Sequence, residues 1–325
     1  MLVLGVIFSG EHYKALAIVS TISFLRENNN FKYCYYVSDS KSTDFETCVT
    51  LVIPGIKFTW VAPPETDFSL YKFPKYAGNY VTYWSLELLD FVDKEDVLVF
   101  IDSDTYTRRK LPIEEICSSL KEKKYPFAAV AVPRAVHERW IALQLKTPFH
   151  VINGGFFIYL PTFDESSSID NYSEVSKLLA LDPLNLIFAD QDILNFRFRH
   201  NTLLLSSEYN VTTTIMQTFY RGRVGLNSLY LSSVVSNPIM VHFVGNSLTS
   251  TSFPPNKFTV EYRRNLNSLR KIGKLKQSLG GLSLKLLRPY FSINNILSVI
   301  FGTFYIHEAR LFSLKEVVRI LFLKK

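Results

Sequence analysis

The chain has 325 residues, of which 47% are apolar, enough for one large α/β domain with a real core, and this excludes disorder over most of its length. Its cysteines, Cys34, Cys48 and Cys117, are scattered without a CxxC pair, which argues against a disulfide framework or cysteine zinc site and indicates a reducing compartment. The formal net charge is +7, but residues 263–325 contain 13 Lys or Arg and 2 Asp or Glu, so this segment carries +11 and residues 1–262 carry −4.

The first half of the sequence alternates short apolar runs with segments of helical spacing. The apolar runs predict strands at 2–8, 33–38, 56–61, 97–101 and 127–132. Helical spacing predicts helices from Ala15 to Leu25, from Tyr76 to Phe91, and just after Leu111 and Pro112. Repeated strand–helix units predict a mainly parallel sheet flanked by helices.

The second half is less regular. It predicts a strand at 156–160, a helix at 189–199 and a strand at 239–244. From Arg263 onward, basic residues occur in stretches of helical periodicity. We therefore predict an α/β domain over residues 1–262 and a basic helical extension over residues 263–325.

Neither a signal peptide nor a membrane-spanning helix is predicted. The apolar start from Met1 to Phe8 is very short and lacks a basic beginning and a cleavage site, so it fits a buried first strand better. The apolar stretch 291–306 is too short, and too polar at Asn294 and Asn295, to cross a bilayer.

Two carboxylates and a histidine are candidate metal ligands. Asp102 and Asp104 follow the strand predicted at 97–101, at the strand end where ligands bind in open α/β sheets. A D-x-D pattern is expected roughly once by chance in a chain of this length, but its place after a buried strand favours a divalent-cation site. His242 lies in the apolar run IMVHFVG, so it is either a core histidine or the third ligand of a cation such as Mn²⁺.

Three glycines and an asparagine are candidate contacts for a bound phosphate or other ligand. Gly245 would let the backbone approach a phosphate closely. The segment Asn153-Gly154-Gly155 is either a tight turn or a place where Asn153 points into a cleft and the glycines admit a ligand.

Asp190, Gln191 and Asp192 begin a predicted helix. An N-cap role accounts for one of the two acids, but not for both acids and the amide together. Carboxylate and amide groups at a helix start suit the binding of sugar hydroxyls.

In order and spacing, four segments resemble glycosyltransferase family 8, and the resemblance covers roughly residues 1–250. They are VFIDSDTYTRRKL (99–111), INGGFFIY (152–159), ADQDILN (189–195) and VHFVG (241–245), of which ADQDILN is the most specific. The resemblance implies the GT-A fold, as in bacterial lipopolysaccharide galactosyl- and glucosyltransferases. It implies transfer of a hexose from a nucleotide sugar, UDP-hexose above all, to a glycan or glycolipid acceptor with retention of anomeric configuration.

The resemblance also implies roles for particular residues. Asp102, Asp104 and His242 match the ligands of Mn²⁺ or Mg²⁺. Gln191 matches the residue nearest the reacting anomeric face, and Asp192 is a second candidate that holds the acceptor or orients Gln191. The candidate contacts to the nucleotide-sugar donor, by match to the family or as replacements for its residues, are Asn153, Gly154, Asp190, Gly245 and Ser9.

Some expected family residues are missing. The turn at 9–13 has no Asp or Asn to hold uridine, Tyr83-Trp84-Ser85 has no arginine, the strand ending at 133 lacks an acid, and 246–248 lacks a lysine. Lys75 and Arg134 are candidate substitutes for the diphosphate contacts. These departures concern the identity of the donor more than the use of a metal.

The basic extension 263–325 has leucine and phenylalanine between its cations, which favours an anionic membrane surface over nucleic acid. The alternative is a solvated helix packed on the α/β domain. Contact with the inner face of a membrane from the cytoplasm would suit a lipid-carried acceptor.

Two rival functions stay open. A nucleotidyltransferase would be expected to have a basic glycine-rich loop after its first strand, and SGEHYK (9–14) is a poor one. A non-catalytic, membrane-associated protein with a degenerate glycosyltransferase fold would fit the missing basic residues.

Overall fold

In the computed structural model, the apolar runs of the sequence form the strands of two sheets. The structure describes residues 1–65, 67–71, 79–131, 152–165, 190–213, 237–244 and 257–270, together with residues 73, 75, 172, 176 and 234. The strands are β1 (Leu2–Ile7), β2 (Tyr33–Val37), β3 (Lys57–Val61), β4 (Val97–Ile101), β5 (Thr105–Thr107), β6 (Phe127–Ala131), β7 (Ile152–Tyr159), β8 (Thr202–Leu205), β9 (Val211–Thr212) and β10 (Met240–His242).

Seven strands form the central sheet, in the order β3-β2-β1-β4-β7-β6-β8. The first four are parallel, β7 is antiparallel to both of its neighbours, and β8 is parallel to β6. The chain passes from β1 to β2 and β3 on one side and returns to β4 on the other, so the sheet has a switch point beside β1. Ligands of open α/β sheets bind at the carboxyl ends of the strands at such a point.

Helices cover both faces of this sheet. They are α1 (Gly10–Glu27), α2 (Thr43–Thr50), α3 (Trp84–Phe91), α4 (Ile113–Lys123), α5 (Asp190–Arg197) and α6 (Lys257–Arg270). The side chains of β1 alternate between two cores: Leu4 and Val6 belong to one, and Val3 and Ile7 to the other. A strand buried on both faces explains why the sequence of β1 is an unbroken apolar run.

The predicted helix from residue 76 begins later than expected. A 3₁₀ turn at Val81–Tyr83 leads into α3, and residues 76–78 lie outside the described part of the chain. The Asn79 side chain accepts a hydrogen bond from the Val81 N–H at 3.1 Å. This local side-chain turn satisfies a backbone group that would otherwise favour the helix, so the helix starts after it.

The strand predicted at 156–160 begins four residues earlier, at Ile152. Asn153, Gly154 and Gly155 therefore lie within β7, and the tight-turn interpretation of this segment is wrong. Side-chain amides bind the backbone of this first part of β7, which allows it to extend beyond the end of β4.

Helix α6 crosses the predicted boundary between residues 262 and 263. Phe258, Tyr262, Leu266 and Leu269 are all buried in the core that also contains the inner side chains of α1. The boundary therefore falls inside a helix that packs on the α/β domain up to at least Leu269. Residues 271–325 lie outside the described part of the chain.

A bidentate ion pair also fixes α6. Arg108, just after β5, donates to Glu261 through Nε at 2.6 Å and through Nη2 at 3.1 Å. No helix among the described residues is both long and apolar enough to cross a bilayer. The three cysteines are unpaired and buried.

We predict that Leu266→Ala lowers the free energy of unfolding by about 2–5 kcal/mol, because Leu266 is fully buried and its loss leaves a cavity under α6. Urea denaturation measures the effect. Ser268→Ala, at an exposed position of the same helix, is the matched control and should change stability by less than about 0.5 kcal/mol. Equal stability of the two variants would contradict the packing of α6.

Candidate active site

The two aspartates lie in a turn that links β4 to β5, and several hydrogen bonds fix its backbone. The Asp102 N–H donates to the Gly155 carbonyl at 2.9 Å. The Asp102 carbonyl accepts hydrogen bonds from Ser20 Oγ and Thr105 Oγ1, each at 2.9 Å. This turn is therefore tied to α1 below it and to β7 beside it, which fixes the direction of the two carboxylates.

The small sheet brings His242 to the same turn. Strand β10 pairs with β5 in antiparallel fashion, with His242 opposite Thr105, and the Phe243 N–H donates to the Asp104 carbonyl at 2.9 Å. His242 Nε2 lies 3.3 Å from Asp102 Oδ2 and 3.1 Å from Asp104 Oδ1. The structure thus brings together the three residues that the sequence predicts as metal ligands.

These three side chains, hereafter the Asp–Asp–His cluster, have the chemistry of a divalent-cation site. Their ligand atoms all lie within 4.8 Å of one another. The imidazole is buried, while the Asp102 carboxylate is 33% exposed and faces the solvent side. Two carboxylates and one imidazole on one side of a cation leave its other positions for phosphate oxygens and water, a set that suits Mn²⁺ or Mg²⁺.

The two carboxylates of the cluster also favour a positive charge between them. Burial alone lowers the pKa of His242, but the charge and hydrogen bonds of the Asp104 and Asp102 carboxylates outweigh burial and raise the pKa to about 10. A buried imidazole between two carboxylates therefore holds either a proton or a cation.

Gly155 lets β7 pass close to the cluster. A Cβ placed on Gly155 would overlap the His242 ring and would lie 2.9 Å from Asp102 Oδ2. A Cβ on Gly154 would meet only ordinary contacts, at 3.5 Å from Asp190 Oδ2 and 3.6 Å from the Cβ of Gln191. The two glycines thus border different groups: Gly155 borders the cluster and Gly154 borders the start of α5.

The start of α5 places Asp190 and Gln191 against β7. Ser85 Oγ on α3 donates to Asp190 Oδ2 at 2.9 Å, and the Gly154 N–H donates to Gln191 Oε1 at 3.3 Å. Burial, followed by the charge of Asp102, raises the pKa of Asp190 to about 8. Near neutral pH this carboxyl therefore holds a proton much of the time in the absence of a cation.

The remaining predicted residues have different environments. Asp192 is 2% exposed, on the inner side of α5. Ser9 Oγ donates to both carboxylate oxygens of Asp39, at 3.0 and 2.9 Å. Lys75 Nζ lies over the ring of Tyr80, and Gly245 and Arg134 lie outside the described residues.

Three further residues at the site were not singled out from the sequence. They are Asn195, Asn210 and Asp39, which form hydrogen bonds with Gln191, Asn153 and Ser9, respectively. Asn195 stands four residues after Gln191 in the ADQDILN segment, a spacing that places both on one side of a helix. Asn210 and Asp39 carry no such signal, because only the fold brings them near the site.

Comparison with known proteins identifies the family. The family model for glycosyl transferase family 8 matches residues 6–247, about three quarters of the chain. The chain belongs to glycosyltransferase family 8. It is therefore a glycosyltransferase, as the four sequence segments predict, and no curated protein sequence matches it.

Solved structures share its fold at low sequence identity. An active-site mutant of LgtC gives a TM-score of 0.64 at 15% identity, covering 82% of this chain and 96% of LgtC. The galactosyltransferase LgtC in complex with donor and acceptor sugar analogs gives 0.61 at 16% identity, covering 86% and 99%. GlyE of Streptococcus pneumoniae TIGR4 gives 0.55 at 15% identity, covering 89% of this chain and 65% of GlyE. The predicted GT-A fold is confirmed.

We predict that Gly155→Ala weakens Mn²⁺ binding at least about tenfold, because the new methyl group displaces the His242 ring from the two carboxylates. Isothermal titration calorimetry with MnCl₂ measures the affinity. Gly154→Ala adds the same methyl group one residue away, in ordinary contact distance, and should keep the affinity of the unchanged protein. Unchanged Mn²⁺ affinity in a folded Gly155→Ala variant would contradict the assignment of the cluster as the cation site.

Proposed function

We propose that this glycosyltransferase moves a hexose from UDP-hexose to a glycan or glycolipid acceptor, depends on Mn²⁺ or Mg²⁺, and retains anomeric configuration. The observation that carries the proposal is the Asp–Asp–His cluster at the carboxyl end of β4, beside the glycines of β7. A site of this kind suits a sugar diphosphate because the diphosphate needs a cation and close access. LgtC, which has been crystallised with donor and acceptor sugar analogs, has the same fold.

Asp102, Asp104 and His242 would hold the cation. When bound, the cation supplies Lewis-acid stabilisation of the charge that grows on the diphosphate leaving group. The hydrogen bonds to the Asp102 backbone keep the ligands in place, so little reorganisation accompanies binding.

Asp190 and Gln191 would orient the hexose. The Asp190 carboxyl, held by Ser85 Oγ at 2.9 Å beside Gly154, can bind sugar hydroxyls. Gln191 Oε1 accepts a hydrogen bond from the Gly154 N–H, which fixes the orientation of the Gln191 amide. We propose, from the family resemblance, that the acceptor attacks on the face from which the nucleotide departs. We propose Asp192, which is buried, as a residue that orients Gln191.

Thermal melting with UDP-sugars tests the function. We predict that a UDP-hexose raises the melting temperature only when Mn²⁺ is present, and that Asp104→Asn abolishes the shift because one ligand loses its charge. Asp93→Asn, an exposed acid before the amino end of β4, is the matched control and should keep the full shift.

Two results would contradict the proposal. An unchanged shift in Asp104→Asn would exclude the Asp–Asp–His cluster as the cation site. If no UDP-sugar shifts the melting temperature, the non-catalytic alternative is favoured. The missing basic residues for the diphosphate are the sequence feature that suggests this alternative.

We also propose that the protein works from the cytoplasm at the inner face of a membrane. Residues 263–325 carry +11 of charge, while residues 1–262 carry −4. Anionic lipid attracts a basic amphipathic segment by about 1 kcal/mol per cation near the surface. Because α6 packs on the α/β domain as far as Leu269, the candidate membrane segment is 271–325.

We predict that the full chain sediments with vesicles containing phosphatidylserine, and that a chain ending at Arg270 does not, because it keeps the buried residues of α6 and loses 10 of the 13 cations. Co-sedimentation at low and high salt measures binding. Vesicles of phosphatidylcholine alone are the control. Equal binding of the two chains to anionic vesicles would remove the membrane proposal.

A further inference from the structure

The first four residues of β7 are bound by a set of side-chain amides, one from β7 itself and three from two other places in the chain. The Ile152 N–H donates to Asn195, the Gly154 N–H to Gln191, the Gly155 N–H to Asn153 Oδ1, and Asn210 Nδ2 also donates to Asn153 Oδ1. Of these amides, that of Asn153 is both part of β7 and half-buried at the site.

The orientation of the Asn153 amide follows from an unambiguous donor. The Gly155 backbone N–H lies 2.9 Å from the amide of Asn153, so the atom facing it must be the oxygen. Asn210 lies 2.7 Å from the same oxygen and must therefore present its NH₂ group. These two hydrogen bonds use both lone pairs of Asn153 Oδ1, so its Nδ2 is the group left to bind a ligand.

The Asn153 side chain leaves β7 on the side of the Asp–Asp–His cluster. Side chains alternate between the two faces of a strand, so residues 153 and 155 share a face. A Cβ on Gly155 would point at His242 and Asp102, so this face is the one that borders the cluster. Among the described residues, no acceptor lies within hydrogen-bonding distance of Asn153 Nδ2.

We infer that Asn210 is a positioning residue, which holds Asn153 so that its N–H groups point at an oxygen of the bound nucleotide sugar. That oxygen is either a sugar hydroxyl or a phosphate oxygen. The inference rests on the proposed function, since it requires the nucleotide sugar to lie at the cluster. The inference also means that Asn153 donates a hydrogen bond to the nucleotide sugar and does not accept one from it.

The burial of Asn210 supports a role beyond packing. Its side chain is completely buried, and its Oδ1 has no hydrogen-bond partner in the described part of the chain. An amide in such a place costs free energy of desolvation, whereas an apolar side chain of the same size would not. The hydrogen bond to Asn153 is the contact that leucine could not replace.

The test compares Asn210→Leu with Asn28→Leu. Asn28 is equally buried, and its amide binds the Phe24 carbonyl and the Leu111 N–H, neither of which belongs to a predicted site residue. Calorimetry with Mn²⁺ gives the affinities for UDP, UDP-glucose and UDP-galactose. We expect Asn210→Leu to weaken binding of the preferred UDP-sugar by about three- to tenfold and Asn28→Leu to leave it unchanged.

A double-mutant cycle distinguishes positioning from a general loss of structure. If Asn210 acts through Asn153, then Asn153→Ala weakens binding in the unchanged protein and has no further effect in the Asn210→Leu variant. Asn153→Asp serves if Asn210→Leu does not fold, because it keeps the oxygen but lacks the N–H donor. We expect Asn153→Asp to bind the UDP-sugar no better than Asn153→Ala.

The outcomes separate the possible contacts. If Asn210→Leu loses affinity for the UDP-sugar alone, the partner of Asn153 is a sugar hydroxyl. If it loses affinity for UDP equally, the partner is a phosphate oxygen. Unchanged binding in a folded Asn210→Leu variant, additive effects in the cycle, or retained affinity in Asn153→Asp would overturn the inference. Absence of UDP and UDP-sugar binding in the unchanged protein would instead overturn the proposed function together with the inference.

Discussion

The close approach of β7 to the imidazole of His242 is the constraint on which the site depends. The approach is possible only because residue 155 has no side chain, since a Cβ there would overlap the ring. The same approach lets the Gly155 carbonyl bind the Asp102 N–H, which fixes the turn carrying both carboxylates. The absence of a side chain at residue 155 is therefore required both for the position of the His242 ring and for the backbone of the turn that carries the two aspartates.

The cluster was predictable from sequence because its parts have local signals. Asp102 and Asp104 follow an apolar run that is observed as β4 with the predicted bounds, and His242 lies in an apolar strand. The resemblance to family 8 added the order of the segments, which no single motif supplies. Their meeting in space could not be read from the sequence, because it depends on the antiparallel pairing of β5 with β10 over more than 130 residues.

The first residues of β7 and the amides that bind them were harder to predict. Two glycines after an asparagine are typical of a turn. Here the pairing of Ile152 with Ala131 and side-chain hydrogen bonds from Asn195, Gln191 and Asn153 make the segment a strand. Asn195 binds both the N–H and the carbonyl of Ile152, at 2.8 and 3.2 Å, and so joins α5 to β7. Contacts of this kind leave no periodicity in the sequence. The start of α3 was misplaced for a similar reason, since a single side chain, Asn79, competes with the helix.

At one position beside the site, a hydroxyl stands where the family often has a charged side chain. Ser85 occupies the segment where the family often has an arginine, and it binds Asp190 with a hydroxyl instead of a charge. Burial and the charge of Asp102 raise the pKa of Asp190 to about 8. Under the proposed function, the bound metal would supply the positive charge that a diphosphate needs, so we expect activity to depend strongly on the metal.

The most direct measurement is X-ray diffraction at the manganese absorption edge from crystals grown with MnCl₂ and UDP. We predict one strong anomalous peak within coordination distance of Asp102, Asp104 and His242, next to the diphosphate of UDP. Diphosphate density at this place without an anomalous peak, or a manganese ion bound away from these three residues, would contradict it.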